Sequence, residues 1–327
     1  MLTRIPSSPP IISPVYNDSN RPLWSVMIPV YNCSNYLEET LESVLLQDIP
    51  EEEMQIEVID DYSTDADVEA LVKEVGQGRV KYFRQTENVG SLRNFETCIN
   101  RATGELVHIL HGDDRVREGY YKGIKTLFNK YPDAGAAFSG YRYIDEKGKN
   151  LYDQTASDLN EGILKNWLYK IAVRQRIQYV AITVKRDVYE KLGAFYSVTY
   201  AEDWEMWVRI AKNYPVAYTP EILAEYRKHE GSISGQKFIN ALYIDDLLYI
   251  MDLIQQHLPD ALKKTVLKQS HQFYSHYAIR TANTLWHSSH NKEAVKANVK
   301  KALAMHKDLF LLFKIAKLYT KIIINRR

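Results

Sequence analysis

From Trp24 onward, short runs of apolar and β-branched residues alternate with stretches whose apolar positions recur every three or four residues. That alternation predicts parallel strands joined by crossover helices, because a strand covered on both faces is continuously apolar while a helix lying on it needs one apolar stripe. A first strand is expected at Trp24 to Tyr31, followed by a helix with Leu37, Leu41, Val44 and Leu45 on one face, Asn35 as its cap and its end near Gln47. The pattern continues with strand MQIEVID, helix VEALVKEV, strand VKYF, helix SLRNFETCINRA closed by Gly104, strand ELVHIL, helix GYYKGIKTLFNKY and strand AGAAFSGYRYI. Beyond Asn150 the rhythm loosens, with short helices expected at Lys185 to Gly193 and Ala201 to Lys212 and a final strand at Val216 to Ile222. From about Phe238 strand signals vanish, and three to five helices with a loop near His287 to Asn291 are expected. The chain therefore reads as α/β: a flexible lead-in over 1–22, an α/β domain over 23–236 and a helical region over 237–327.

Composition narrows the function classes. With 327 residues, 45% of them apolar, the chain can bury a core for one domain and an appendage. A formal net charge of +1 gives no clustered cationic footprint of the kind nucleic-acid binding needs, so nucleic acid is not an expected partner. Two cysteines, Cys33 and Cys98, are too few for a disulfide framework and point to a reducing, cytoplasmic setting. No run approaches the roughly 20 apolar residues that cross a bilayer, and the Pro-, Ser- and Asn-rich start lacks the apolar core of a signal peptide.

Candidate chemistry lies where open α/β sheets bind ligands, just beyond the carboxyl ends of strands. Three polar clusters fall there: Pro29 to Asn32 after the first strand, Asp60 to Asp65 after the second, and His111-Gly112-Asp113-Asp114 after the fourth. Neither G-x-G-x-x-G nor G-x-x-x-x-G-K-[ST] occurs, so phosphates would need another holder. Carboxylates gripping a divalent cation can do that work, and Asp113-Asp114 after a buried strand suits it.

The order of VMIPVYN, EVIDDYSTD, ENVGSLRN, HGDD, AEDWEMWVRI and YRKHEGSIS, spread over about Trp24 to Ser234, resembles glycosyltransferase family 2. The resemblance implies a GT-A fold, a Rossmann-like, mainly parallel sheet flanked by helices, here with a C-terminal helical appendage. It also implies a nucleotide-sugar donor, most commonly of UDP, a divalent cofactor (Mn²⁺ or Mg²⁺) and transfer to a hydroxyl with inversion, in polysaccharide or glycolipid synthesis. Residue by residue, Pro29 and Tyr31 line the base pocket, Asp61 accepts from the base, and Asn88, Gly90, Arg93 and Asn94 match the stretch that reaches base or diphosphate. Asp113 contacts the ribose, Asp114 and His229 ligate the metal, and Asp203 is the general base. Glu202, Trp204 and Gly193 fall on the acceptor side, where Trp204 stacks on a sugar or packs in the core and Gly193 belongs to an acceptor loop or caps a helix. His111, where many members carry Asp, and Tyr62, where a small residue is commoner, depart from the pattern. Those departures leave a second function open, a catalytically silent domain that binds nucleotide sugars or scaffolds an assembly.

The implied partners are a nucleotide-sugar donor and a carbohydrate or lipid-linked acceptor. The end of the chain, LFLLF and IIIN interspersed with Lys314, Lys317, Lys321, Arg326 and Arg327, resembles a basic interfacial helix. Peripheral contact with the inner face of a membrane, packing on the helical region and contact with a second subunit are all consistent with it.

Overall fold

Parallel pairing of β1 (Trp24–Val30) with β2 (Met54–Asp60) and β4 (Leu106–Ile109), and of β2 with β3 (Lys81–Arg84), brings the polar ends of the first strands to one edge of a sheet. The computed structural model describes residues 3–15, 21–47, 49–229, 231 and 237–324. The chain divides into two units, Met1–Trp167 with Arg176–Lys228, and Leu168–Gln175 with His229–Arg327.

In chain order the first part runs β1 (Trp24–Val30), α1 (Ser34–Leu45), β2 (Met54–Asp60), α2 (Val68–Gly76), β3 (Lys81–Arg84), α3 (Ser91–Arg101), β4 (Leu106–Ile109) and β5 (Arg115–Val116). It continues with α4 (Tyr120–Lys130), β6 (Ala136–Ile144), β7 (Asn150–Asp153), β8 (Gly162–Ile163), α5 (Trp167–Val173), β9 (Ile182–Lys185), α6 (Arg186–Leu192), α7 (Glu202–Asn213) and β10 (Val216–Arg227). The sheet order is β3-β2-β1-β4-β9-β6-β10-β5, with β7 on β6 and β8 on β10. β9 runs antiparallel between β4 and β6, and β5 antiparallel to β10. The doubly covered core strands β1 and β4 are buried at every position, as their apolar runs predict.

Several local expectations change for identifiable reasons. β9 was not expected because its alternation, Ile-Thr-Val-Lys, lasts only four residues and runs straight into a helix. β10 runs five residues beyond Ile222, since a register shift between Thr219 and Ala224 absorbs Pro220 instead of ending the strand. The N-cap of α1 is Cys33, not Asn35; the first helical N–H, that of Ser34, donates to Asp65 Oδ2 at 2.9 Å, while Asp67 caps α2 through Ala70 N. Gly104 does not close α3. A Cβ there would lie 2.5 Å from the Trp24 carbonyl carbon, so the residue is small because the chain passes directly against β1.

The start of the chain also differs from a flexible lead-in. Pro6, Pro10 and Ile12 are buried. Backbone carbonyls of Pro6 and Pro10 accept from Ser197 and Ala194 at 2.9 Å each, and Arg186 Nη2 donates to Ser13 O at 3.0 Å. Residues 16–20 of the expected lead-in lie outside the described residues.

In the second unit, α8 (Leu242–Gln255), α9 (Asp260–Ser289), α10 (Lys292–Met305) and α11 (Leu309–Ile323) follow one another, the long α9 burying Val266, Ser270, Tyr274, Ala278, Ala282 and Trp286 at helical spacing. The residues Leu168–Gln175 also belong to this unit, through Tyr169 OH on Gln269 Oε1 at 2.8 Å and Ser270 Oγ on Val173 O at 2.9 Å. The loop expected near His287 to Asn291 is a tight turn in which His290 takes a left-handed conformation and Asn291 caps α10.

Ile12, at 1% exposure, provides the test of whether the N-terminal segment is part of the folded first unit. Ile12→Ala is expected to lower stability by roughly 2–5 kcal/mol in urea unfolding, the cost of a buried cavity. A loss under about 0.5 kcal/mol, typical of an exposed site, would contradict the packing described.

Candidate active site

At the end of β1 and β2 the polypeptide turns sharply: Asn32 and Tyr62 both adopt positive φ, 50° and 68°. The two turns hold each other, with Asn32 N on Ser63 Oγ at 3.1 Å and Thr64 N on Asn32 Oδ1 at 2.8 Å. Pro29 is buried in β1, while Tyr31 and Tyr62 project outward, 52% and 44% exposed. Asp60 points inward, to Tyr82 OH, Arg84 Nη1 and Ser63 N. Asp61 instead gathers the loop before α3, accepting from Val89 N at 2.7 Å and from Gly90 N and Asn88 Nδ2 at 2.9 Å. Burial raises the Asp61 carboxyl above its ordinary pKa, opposed by those backbone N–H donors.

Arg4 joins this cluster from the N-terminal segment. Its guanidinium donates to Asn88 O at 2.8 Å and to Asn88 Oδ1, and a Cβ on Gly90 would lie 3.3 Å from Arg4 Nε. Arg93, expected to reach a base or diphosphate, is engaged otherwise: Nε donates to Thr3 O at 2.9 Å and Nη1 to Glu96 Oε2 at 2.6 Å. Asn94 is interior, tying α3 to Ile59 O at 2.8 Å.

After β4, His111, Asp113 and Asp114 each present a ligand-type atom, all within 4.8 Å of one another. Asp114 is buried, and its Oδ1 accepts from Arg227 N at 2.8 Å, a bond made where β5 meets the end of β10. Among the described residues its Oδ2 has no partner, nor has His111 Nε2. Burial drives the Asp114 carboxyl well above its ordinary pKa, with the nearby Asp113 charge adding to the effect, and burial lowers the His111 imidazole. An orphaned carboxylate oxygen and an orphaned imidazole nitrogen beside a second acid, Asp113, are a set that a divalent cation would satisfy.

The wall behind the acids is a buried guanidinium. Arg227 spans Asp113 O and Glu39 Oε2, both at 2.8 Å, and Glu146 O at 3.2 Å, with Tyr36 beneath it at 4.9 Å. Arg115 joins Glu39 to Glu225. These fixed contacts hold the Asp113-Asp114 backbone against the end of β10.

The opposite wall is α7. It begins after three residues with positive φ in nine positions, Gly193 at 78°, Ser197 at 80° and Ala201 at 70°, of which the two non-glycine residues hold costly backbone. Glu202 and Asp203 form its first turn, with Asp203 Oδ1 accepting from Trp204 N at 2.7 Å. Tyr179 links this turn to the metal-type cluster: its hydroxyl donates to Glu202 Oε1 at 3.2 Å and its ring lies 4.5 Å from that of His111. Phe95 stacks on His111 at 5.2 Å and meets Tyr179 at 5.4 Å, so the three rings form one cluster. His111 and Glu202 thus both meet Tyr179.

Two expected acceptor-side residues have other work. Trp204 is fully buried, like Trp207, and presents no face on which a sugar could stack. Gly193 is the C-cap of α6, donating to Tyr189 O at 2.7 Å, and a Cβ on it would lie 2.8 Å from Pro10 O. His229 falls in the second unit, and Ser232 to Ser234 of the YRKHEGSIS motif lie outside the described residues. Sequence inspection missed Tyr179, Arg227, Glu39 and Arg4. Of these only Arg227 carried a signal, its place in YRKH two residues before the expected histidine.

Comparison with known proteins identifies the family and the fold. The family model described as glycosyl transferase family 2 matches residues 25–193, just over half of the chain. An uncharacterized glycosyltransferase of Rickettsia felis is 29% identical over 223 residues, covering 67% of this chain; the chain spans only 36% of that relative's length. TuaG of Bacillus subtilis, named as a glycosyltransferase of teichuronic acid biosynthesis, is 30% identical over 67% of this chain and 84% of its own length. Among solved structures, Staphylococcus aureus TarS 1-349 in complex with UDP-GlcNAc superposes with a TM-score of 0.63 at 16% identity, covering 91% of this chain and 89% of that one. The mannosyltransferase PcManGT of Pyrobaculum calidifontis, in complex with GDP-Man and Mn²⁺, gives 0.55 at 18% identity, covering 98% and 92%. The sheet flanked by helices is therefore the GT-A fold, and the chain belongs to glycosyltransferase family 2.

Proposed function

We propose that this chain transfers a sugar from a nucleotide diphosphate to an acceptor hydroxyl, with inversion, using a divalent cation held by Asp113 and Asp114 with His111 beside them. The observation that carries the proposal is the shared wall of Tyr179, which touches both His111 and Glu202 and so sets the acidic start of α7 beside the acidic cluster after β4. A silent binding domain has no need of a buried carboxylate oxygen left without a partner, because burial without compensation costs stability.

In this mechanism a nucleobase lies against the exposed Tyr31 and the Asp61 to Gly90 turn, where aromatic stacking tolerates more than one base. UDP is the preferred donor nucleotide on family precedent, and the GDP-Man complex of PcManGT makes GDP the alternative to test. A bound divalent ion supplies neutralisation of the leaving diphosphate. Asp203, held in the first turn of α7, takes the proton from the acceptor hydroxyl as its oxygen attacks the anomeric carbon. Glu202 is fixed by Tyr179 and orients that turn.

Asp203→Asn is expected to reduce transfer by roughly 10² to 10⁴-fold while leaving nucleotide affinity unchanged, measured by product formation and calorimetry with UDP- and GDP-sugars. Retention of full transfer would remove Asp203 from the base role. Asp114→Asn separates metal from fold. Because burial disfavours the Asp114 carboxylate, its folded pKa is raised, and its contribution to stability is lost as pH rises above the unfolded value. The amide keeps the acceptor for Arg227 N and removes the charge. The variant is therefore expected to melt no lower than wild type at neutral pH without metal, and to lose the upward melting shift that Mn²⁺ gives wild type. An unchanged Mn²⁺ shift would contradict the assignment.

A further inference from the structure

The last helix of the second unit, α11, carries two apolar faces. Leu311, Ile315 and Leu318 are buried and fix it to the rest of the helical unit, with Asp308 capping its start through Leu311 N. The other face is open: Leu309 is 87% exposed, Phe313 63% and Ile323 81%, with Leu312 and Tyr319 also exposed between them. At 100° per residue these positions fill an arc of about 120° turned away from the buried line. Lys314, Lys317 and Lys321 all fall on one flank between the two faces. A groove of about 490 Å³ opens along this flank, lined by His287, Phe313, Ala316 and Lys317.

We infer that α11 docks the protein onto the surface of an anionic lipid bilayer, its open apolar face entering the acyl boundary and its lysine flank meeting the acidic headgroups. The 15 residues of α11 span about 22 Å at 1.5 Å each, short of the roughly 30 Å hydrocarbon layer, and no described helix is long and apolar enough to cross a membrane. A helix that cannot span yet exposes aromatic and aliphatic side chains beside a row of cations has the composition of one lying in the interface plane. Charge complementarity selects the occupant. Acidic lipid neutralises Lys314, Lys317 and Lys321 together, whereas a second copy of this chain brings three further cations to the same place. Lys314 also stands over Phe310 at 4.4 Å and Lys321 is held by Asn283 Oδ1 at 3.0 Å, which keeps the flank extended along the helix. The inference rests on the helical unit alone and is independent of the transfer chemistry.

The test is sedimentation of the full chain with vesicles of phosphatidylcholine, with and without roughly 30 mol% phosphatidylglycerol. The expected result is at least about ten-fold tighter binding to the acidic vesicles, falling steeply as salt rises from about 0.05 to 0.5 M. Phe313→Asp with Ile323→Asp is expected to abolish binding, and Lys317→Glu with Lys321→Glu to remove the preference for acidic lipid. All four positions are exposed or lie on the lysine flank, so melting temperature and the sedimentation coefficient of the unbound variants should match wild type. No binding to either vesicle, or binding unchanged in the double aspartate variant, would overturn the inference. So would a concentration-dependent dimer that the aspartates dissociate while vesicle binding is absent.

Discussion

A buried carboxylate with one satisfied oxygen and one unsatisfied oxygen sets the chemistry of the first unit. Asp114 Oδ1 takes the backbone N–H of Arg227, and Oδ2 takes nothing. That bond exists because β5 pairs antiparallel with β10, and the side chain of Arg227 in turn grips Asp113 O and Glu39. The acid pair is thereby fixed on rigid elements, the condition for holding an ion without rearrangement. Under the proposed function, the same desolvation that makes the carboxylate costly would make it an effective ligand, since a cation would restore what water would have supplied.

Around that centre the fold joins parts remote in sequence. Parallel strands deliver Asp61 and the Asp113-Asp114 pair to one rim, and Tyr179, from the turn before β9, joins the rim to α7. The loop from Gly193 to Ala201 holds non-glycine residues at positive φ, backbone that persists only where its surroundings over-determine it. Here those surroundings include Pro6 and Pro10 of the N-terminal segment, which accept its N–H groups. The segment also delivers Arg4 to Asn88, so the first residues of the chain brace both ends of the site.

What the sequence revealed follows the range of its signals. Strand ends of a parallel sheet are local and periodic, so Asp61, Asp113, Asp114 and the acidic start of α7 could be placed from pattern and motif order. Tyr179 could not, because its role depends on β9 entering the sheet antiparallel between β4 and β6, a pairing that four residues do not announce. The N-terminal segment looked like coil because it is held through backbone carbonyls, which any sequence offers. Trp204 and Trp207, three residues apart, share one helix face, and only packing decides that both point into the core. Gly104 was read as a helix end, yet its missing Cβ answers to close passage against β1; Gly193, read as an acceptor loop or a helix cap, caps α6 and also passes close to Pro9 and Pro10.

The central claim is that His111, Asp113 and Asp114 form a cation site facing the start of α7. Anomalous diffraction from crystals grown with Mn²⁺ and a nucleoside diphosphate tests it directly. A single strong peak within coordination distance of Asp114 Oδ2 or Asp113, with the diphosphate between it and Asp203, is the predicted result. A peak elsewhere, with Asp114 Oδ2 still unpartnered, would contradict it.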